Sequence, residues 1–258
     1  MMRPEYDDGT VQVFHAEHQD LAAHLRESGI AADCLCADPP YSAKTHEGHL
    51  TDGLRDGADR RAIDYASWSS DDVEVFVTVW ARLVRGWFCT FTDHRLTLAW
   101  EAAHESAAGG RRNAFHPIPC VERGMTVRMC GGGPSSWATY LMVARPRTLE
   151  WSRWQTTQGA YIGPREEKSW VGGKPVWLVR EVLRDYSEPG NLIVDPTCGG
   201  GTLGVAVRYE GRRAILADRD PLAVETTIKR LRGERTKPTR DDFPETPEQP
   251  TLFRKDAP

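Results

Sequence analysis

The 258-residue chain is 40% hydrophobic and 27% charged with a formal net charge of −4, values that suit a globular protein with a real core. No stretch approaches the roughly 20 apolar residues that span a membrane, and MMRPEYDDGTVQVF lacks the basic-then-apolar order of a signal peptide, so the expected location is cytoplasmic. The six cysteines are scattered with no Cys-x-x-Cys pair, which suits reduced thiols better than disulfides or zinc, and no metal site is expected.

In chain order, TVQVFHAEH reads as a strand and DLAAHLRESG as a short helix closed by Gly29. AADCLCADPPY is a buried strand stopped by two prolines, which donate no backbone hydrogen bond and fix φ. Asp38, Pro39, Pro40 and Tyr41 therefore sit on a stiff turn at a strand's end. Residues 42–68 are polar and glycine-bearing without periodicity, so a long mobile loop of the kind that serves as a lid or binding arm is expected. SDDVEVFVTVWARLVRG has helical spacing, with Ser70 as N-cap and Gly86 as stop. WFCTFTD is a strand, followed by a helix to about residue 107, and AFHPIPCVERG and SWATYLMVARP are further strands. KPVWLVREVLRDYS is an amphipathic helix with proline in its first turn. The remainder to about residue 232 alternates strand, glycine turn, helix, strand, helix, which predicts a parallel sheet covered by helices.

Charge is unevenly spread: Lys+Arg minus Asp+Glu is −10 over residues 1–107, +7 over 108–180 and −1 over 181–258. The central basic segment includes Arg111, Arg112, Arg123 and Arg128, interleaved with tryptophans such as Trp137 and Trp170. Such a segment can attract phosphate and stack on bases, or it can be a solvated face over a tryptophan core.

VDPTCGGGTLG, residues 194–204, sets an acid and a glycine turn between a strand and a helix, where backbone can approach a ligand closely. Asp218, at the end of the next strand, is placed to accept from ribose hydroxyls. Gly199, Gly201 and Gly204 also satisfy the G-x-G-x-x-G pattern of dinucleotide enzymes. Against that reading, Asp195 would put a carboxylate where a pyrophosphate should lie, and hydride transfer leaves Asp38–Tyr41 without a role.

The pair of motifs, Asp-Pro-Pro-Tyr first and Asp-Pro-x-Cys-Gly-Gly-Gly-Thr far downstream, resembles the beta group of S-adenosylmethionine-dependent DNA amino-methyltransferases. VGGKPVWLVREVL, residues 171–183, resembles the Lys-Pro helix that precedes the cofactor strand in that group. The resemblance covers roughly residues 10–232. It implies a Rossmann-like methyltransferase fold, a mostly parallel twisted sheet with helices on both faces, plus a DNA-recognition loop and insertion. It further implies S-adenosylmethionine as cofactor, double-stranded DNA as substrate and DNA methylation of the restriction–modification type.

By the same resemblance Asp38 and the Pro39 carbonyl accept from the exocyclic amine of a flipped base, Pro40 stiffens the turn and Tyr41 stacks on the base. Asp195, Pro196, Thr197, Cys198, Gly199, Gly200, Gly201 and Thr202 would hold the cofactor's amino-acid end, Asp218 its ribose, and Lys174 and Pro175 would line its pocket. DNA contacts are expected from Ser42, Lys44, His46, Arg111, Arg112, Arg123 and Arg128. The chain departs from the family pattern at Thr197-Cys198, where an aromatic and a serine are commoner, at Asp218, where Glu is commoner, and upstream of Lys174.

Asp38 favours adenine-N6 as target, because cytosine-N4 methylases more often carry serine there; cytosine-N4 is the alternative. An inactive DNA-binding module and an enzyme acting on RNA or a protein amide are the competing classes. Pro119-Cys120 looks like a ring-carbon nucleophile pair but stands in the wrong motif order, so a packed thiol is expected. Residues 1–235 are expected to form one domain, with 108–170 as its basic target-recognition region and 236–258 as an extended tail. Within that tail, Gln249–Phe253 of EQPTLF resembles peptides that dock on bacterial sliding clamps. A homodimer is left open, and the recognition sequence is not encoded in any local pattern.

Overall fold

A computed structural model describes residues 2–43, 45, 66–106, 112–124, 138–147, 156–166, 170 and 172–234. Lys44, His46, Arg111, Arg128, most of the 42–68 loop and the 236–258 tail lie outside the described residues.

The described elements run β1 (Tyr6–Asp7), β2 (Val11–His15), α1 (His18–Glu27), β3 (Cys34–Ala37), α2 (Ser70–Trp80), β4 (Phe88–Thr92), α3 (Thr97–Ser106) and β5 (Arg112–Ala114). They continue as β6 (Ile118–Arg123), β7 (Ala138–Pro146), β8 (Tyr161–Pro164), α4 (Val176–Tyr186), β9 (Leu192–Asp195), α5 (Thr202–Glu210), β10 (Arg213–Asp218) and α6 (Pro221–Leu231). One sheet joins the strands in the order β1-β2-β10-β9-β3-β4-β7-β6-β8, with β5 also paired to β7.

From β2 to β4 the neighbours are parallel; β7 then runs antiparallel to β4, and β6 antiparallel to β7. β3 and β4 are buried at every position, as strands covered on both faces must be. Along β3, alternation sends Cys34 and Cys36 to one face, with α4, α5 and α6, and Leu35 and Ala37 to the other, with α1, α2 and α3. Each large side chain sealed there, such as Phe76 or Trp100, contributes roughly 2–3 kcal/mol of burial.

One expectation is corrected. The cap of α2 is Ser69, not Ser70: its side chain accepts from the Asp72 backbone while Asp72 reaches back to the Ser69 backbone. Within the basic segment, β5 to β8 supply four of the sheet's ten strands.

The connections explain where a site must lie. From β9 the chain passes through α5 to β10 on one side, whereas from β3 it passes through α2 to β4 on the other. The order therefore reverses between β9 and β3, and the helices diverge there to leave a crevice at the carboxyl ends of the strands. Asp38, Asp195 and Asp218 each stand at or just beyond such an end. Among the described residues no helix is long and apolar enough to cross a membrane.

Candidate active site at the strand reversal

Pro39 and Pro40 end β3 and leave Asp38 at its rim. The two carboxylate oxygens of Asp38 are engaged separately: Oδ1 accepts from the Tyr41 hydroxyl at 3.0 Å, and Oδ2 from the Lys174 ammonium at 2.5 Å. Lys174 is only 8% exposed. It also donates to the Gly172 carbonyl at 3.3 Å, and its charge lies 5.0 Å from the Tyr41 ring and 5.3 Å from the Phe91 ring. A buried ammonium needs such compensation, and here a carboxylate and two π faces supply it.

The glycine turn sits across the crevice. Gly199 donates its N–H to Asp218 Oδ2 at 2.8 Å, and Asp195 Oδ1 accepts from the Thr197 N–H at 3.1 Å. Gly201 opens α5 at φ 70°, a conformation that favours glycine. Residues that carry no motif hold this turn from outside. Thr227 donates to the Gly199 carbonyl at 2.7 Å, and Arg230 to the Gly200 carbonyl at 2.9 Å. Thr202 receives a bond from Arg230 at 3.1 Å and donates to the Lys174 carbonyl at 3.2 Å, tying the Lys-Pro segment to the turn. Trp170 closes one side: a Cβ on Gly200 would come within 2.5 Å of the Trp170 Cβ, and one on Gly199 within 3.1 Å of its ring.

Chemically the crevice is acidic. Burial pushes Asp195 well above the usual carboxylate range, aided by Asp38 and Asp218 nearby, against the Thr197 hydrogen bond. Burial likewise raises Asp218. Asp38 is paired with the Lys174 ammonium, whereas Asp195 and Asp218 form no salt bridge among the described residues, so a pyrophosphate would be disfavoured there and a cation bearing hydrogen-bond donors would stabilise their ionised forms.

Several sequence expectations change here. Arg112 is not a DNA contact: it is 2% exposed, lies 5.5 Å from the Phe88 ring centre, and donates to the carbonyls of Gly86 (2.6 Å), Ala81 (3.1 Å) and Val84. Arg145 is also buried, against Phe115, so part of the central basic charge is internal. Ser42 is buried and bonded to Asp93, which leaves it no access to DNA. Arg123 is exposed at the end of β6. Cys120 is a packed thiol, pushed up to about 12 by burial.

The profile of the N6/N4 DNA methylase family matches residues 51–229. The chain belongs to that family. The matched span begins after Asp38–Tyr41, so the proline turn stands on its own sequence and geometry. Among curated proteins, this DNA methylase is 34% identical over 62 residues to the type II methyltransferase M.Cfr9I of Citrobacter freundii, covering 24% of the chain and 21% of the relative. It is 31% identical over 74 residues to the type II methyltransferase M2.DpnII of Streptococcus pneumoniae, covering 27% and 28%. The matched segments thus span between a fifth and a third of those relatives.

Its fold is that of the S-adenosylmethionine-dependent methyltransferases among solved structures. The M1.HpyAVI–SAM complex superposes with a TM-score of 0.66 at 17% identity, over 86% of this chain and 100% of that one. The cytosine-N4-specific PvuII DNA methyltransferase superposes with 0.61 at 13% identity, over 88% of each.

Proposed function

We propose that this DNA methylase transfers a methyl group from S-adenosylmethionine to the exocyclic amine of a base flipped from duplex DNA, with adenine-N6 as the target. The observation that carries this reading is the carboxylate of Asp38, fixed by a proline turn at the strand reversal and linked through Lys174 to the glycine turn between Asp195 and Asp218.

The residues fit the cofactor. Asp195 and Asp218 are acids held above their usual range by burial, and a carboxylate oxygen has capacity for more than the one bond that each Asp218 oxygen accepts, from Gly199 and Asp220. The ammonium and ribose hydroxyls of S-adenosylmethionine bring the positive charge and donors that such groups lack. Asp195 and the Thr197–Gly201 backbone would hold its amino-acid end, Asp218 its ribose, and Lys174, Pro175 and Trp170 the pocket wall. When bound, the cofactor supplies a methyl group on a positively charged sulfur.

The chain's own residues prepare the base. An exocyclic amine is a poor nucleophile because its lone pair is delocalised into the ring. Asp38 and the Pro39 carbonyl accept the two amine hydrogens, which favours the geometry that releases the lone pair from the ring. Tyr41 stacks on the flipped base. Because Lys174 and Tyr41 already engage Asp38, the base enters a site whose carboxylate is oriented in advance.

For the DNA path, Arg123 is joined by two neighbours. β6 and β8 are parallel, and the Arg165 N–H bonds the Arg123 carbonyl at 3.2 Å, so both exposed side chains stand at the same end of the sheet as Asp38. Arg95, exposed just beyond β4, extends this rim. None of the three has an ion-pair partner among the described residues, and together they offer phosphate contacts along one edge. We also propose that Gln249–Phe253, by its resemblance to clamp-docking peptides, binds a sliding clamp, and that two chains can pair.

The test is incubation with labelled S-adenosylmethionine and mixed-sequence duplex DNA, followed by nucleoside analysis. Label in N6-methyladenine is expected. Label in N4-methylcytosine would keep the mechanism and overturn the choice of base. No label from protein that binds the cofactor would move RNA, a protein amide or an inactive reader ahead.

A further inference from the structure

Asp93 belongs to no motif, yet it gathers five hydrogen bonds beside the proline turn. It follows directly on β4, whose Thr90 is paired with Ala37 of β3, so it projects past the sheet edge level with Pro40. Its Oδ2 accepts from the Ser42 N–H at 3.1 Å, the Ser42 hydroxyl at 2.5 Å and the Thr45 hydroxyl at 2.5 Å. Its Oδ1 accepts from the N–H groups of Arg95 at 3.0 Å and Leu96 at 3.2 Å.

The Oδ1 side is anchored in the core. Leu96 and Trp100 are buried, and the Trp100 indole N–H donates to Thr92 at 3.2 Å. The Oδ2 side grips the residue immediately after Tyr41, and the Tyr41 carbonyl accepts from the Trp68 N–H at 2.9 Å. Asp93 is 6% exposed. Burial alone would raise its pKa, but the Ser42 and Thr45 hydrogen bonds outweigh it and hold the group below the usual range. An ionised, buried acceptor with five donors acts as a rigid clamp between two segments.

We propose that Asp93 is the positioning residue of the target-base pocket, clamping the Tyr41–Ser42 turn to the β4–α3 junction so that Asp38 and Tyr41 meet the base in one orientation. This rests on the reading of Asp38 and Tyr41 as the base site. Asp93 touches neither base nor cofactor in this scheme, so its loss acts on turnover and not on cofactor binding.

The test uses full-length protein carrying Asp93→Asn, which keeps the shape but aims an amide donor at other donors, and separately the Ser42→Ala/Thr45→Val double variant, which leaves Asp93 intact. The readouts are kcat and KM with duplex DNA, and calorimetric Kd for S-adenosylmethionine. Loss of positioning predicts a kcat about 100-fold lower for Asp93→Asn and about 10-fold lower for the double variant, with the cofactor Kd within about 2-fold of wild type. Wild-type kcat in both variants, or a kcat loss matched by an equal loss of cofactor affinity, would overturn the clamp. If Asp38→Ala keeps full activity, the base-site reading falls and takes the clamp with it. If Asp38→Ala is inactive while Asp93→Asn is normal, the clamp alone falls.

Discussion

Gly201 and Gly211 bracket α5 at nearly the same backbone angle, φ 70° and 66°, in different surroundings. A Cβ on Gly211 would meet nothing within 4 Å, whereas one on Gly201 would lie 2.6 Å from the Thr227 methyl and 2.7 Å from its hydroxyl. Gly211→Ala should therefore cost only the left-handed strain, about 1 kcal/mol. Gly201→Ala adds overpacking against a buried threonine, about 1–3 kcal/mol more, for a total near 2–4 kcal/mol. The entropic gain from removing a glycine in the unfolded chain is common to both and cancels in the difference. Because Thr227 also holds the Gly199 carbonyl, its displacement should loosen the turn and weaken S-adenosylmethionine binding about 10-fold, or roughly 1.4 kcal/mol. Urea unfolding and calorimetric titration of both variants measure the two effects. Equal destabilisation of the two, or unimpaired cofactor affinity in Gly201→Ala, would refute the crowding account of the turn.

Lys174→Met should cut methyl transfer about 10-fold or more while costing only about 1 kcal/mol of stability, since Asp38 is partly exposed and can rehydrate; steady-state kinetics beside thermal melts separate the two. Arg112→Met should destabilise by about 3 kcal/mol by leaving buried carbonyls unbonded, yet leave the salt dependence of DNA binding unchanged. Arg123→Ala should do the reverse, lowering the slope of log K against log salt by about 1, as titrations at several salt concentrations would show. Burial lowers His18 to about 4 and His104 to about 3, and neither His104 ring nitrogen has a hydrogen-bond partner among the described residues. Unfolded histidine takes its proton near pH 6.5, so below that the unfolded state binds more protons. Stability should fall from about pH 6.5 towards 4 by up to about 1.4 kcal/mol per pH unit for each histidine. Denaturant titrations across that range check it, and His104→Leu should reduce the slope.

What the sequence made legible was local. The prolines that end β3 and the glycines at the start of α5 announce themselves because each residue type carries its own backbone constraint. Asp218 followed from its place at the end of the strand after the glycine turn. Partners distant in the chain were not legible. Thr227 and Arg230 reach the glycine turn only because α6 packs beside it, and Asp93 meets Ser42 only because β3 and β4 are neighbours. Arg112 shows the limit of reading charge as surface, since composition cannot reveal an aromatic ring and three backbone carbonyls waiting inside. The reversal of β7 was hidden for a related reason. Its apolar run reads the same whichever way its neighbours point.

Asp38 is the residue on which the account depends, and single-turnover methyl transfer by Asp38→Asn, with cofactor affinity measured on the same preparation, tests it most directly. The variant keeps the shape of the side chain and removes the charge that accepts from the amine. The account predicts transfer slowed by at least about 100-fold, with S-adenosylmethionine bound as in the wild type. Transfer at the wild-type rate would contradict it.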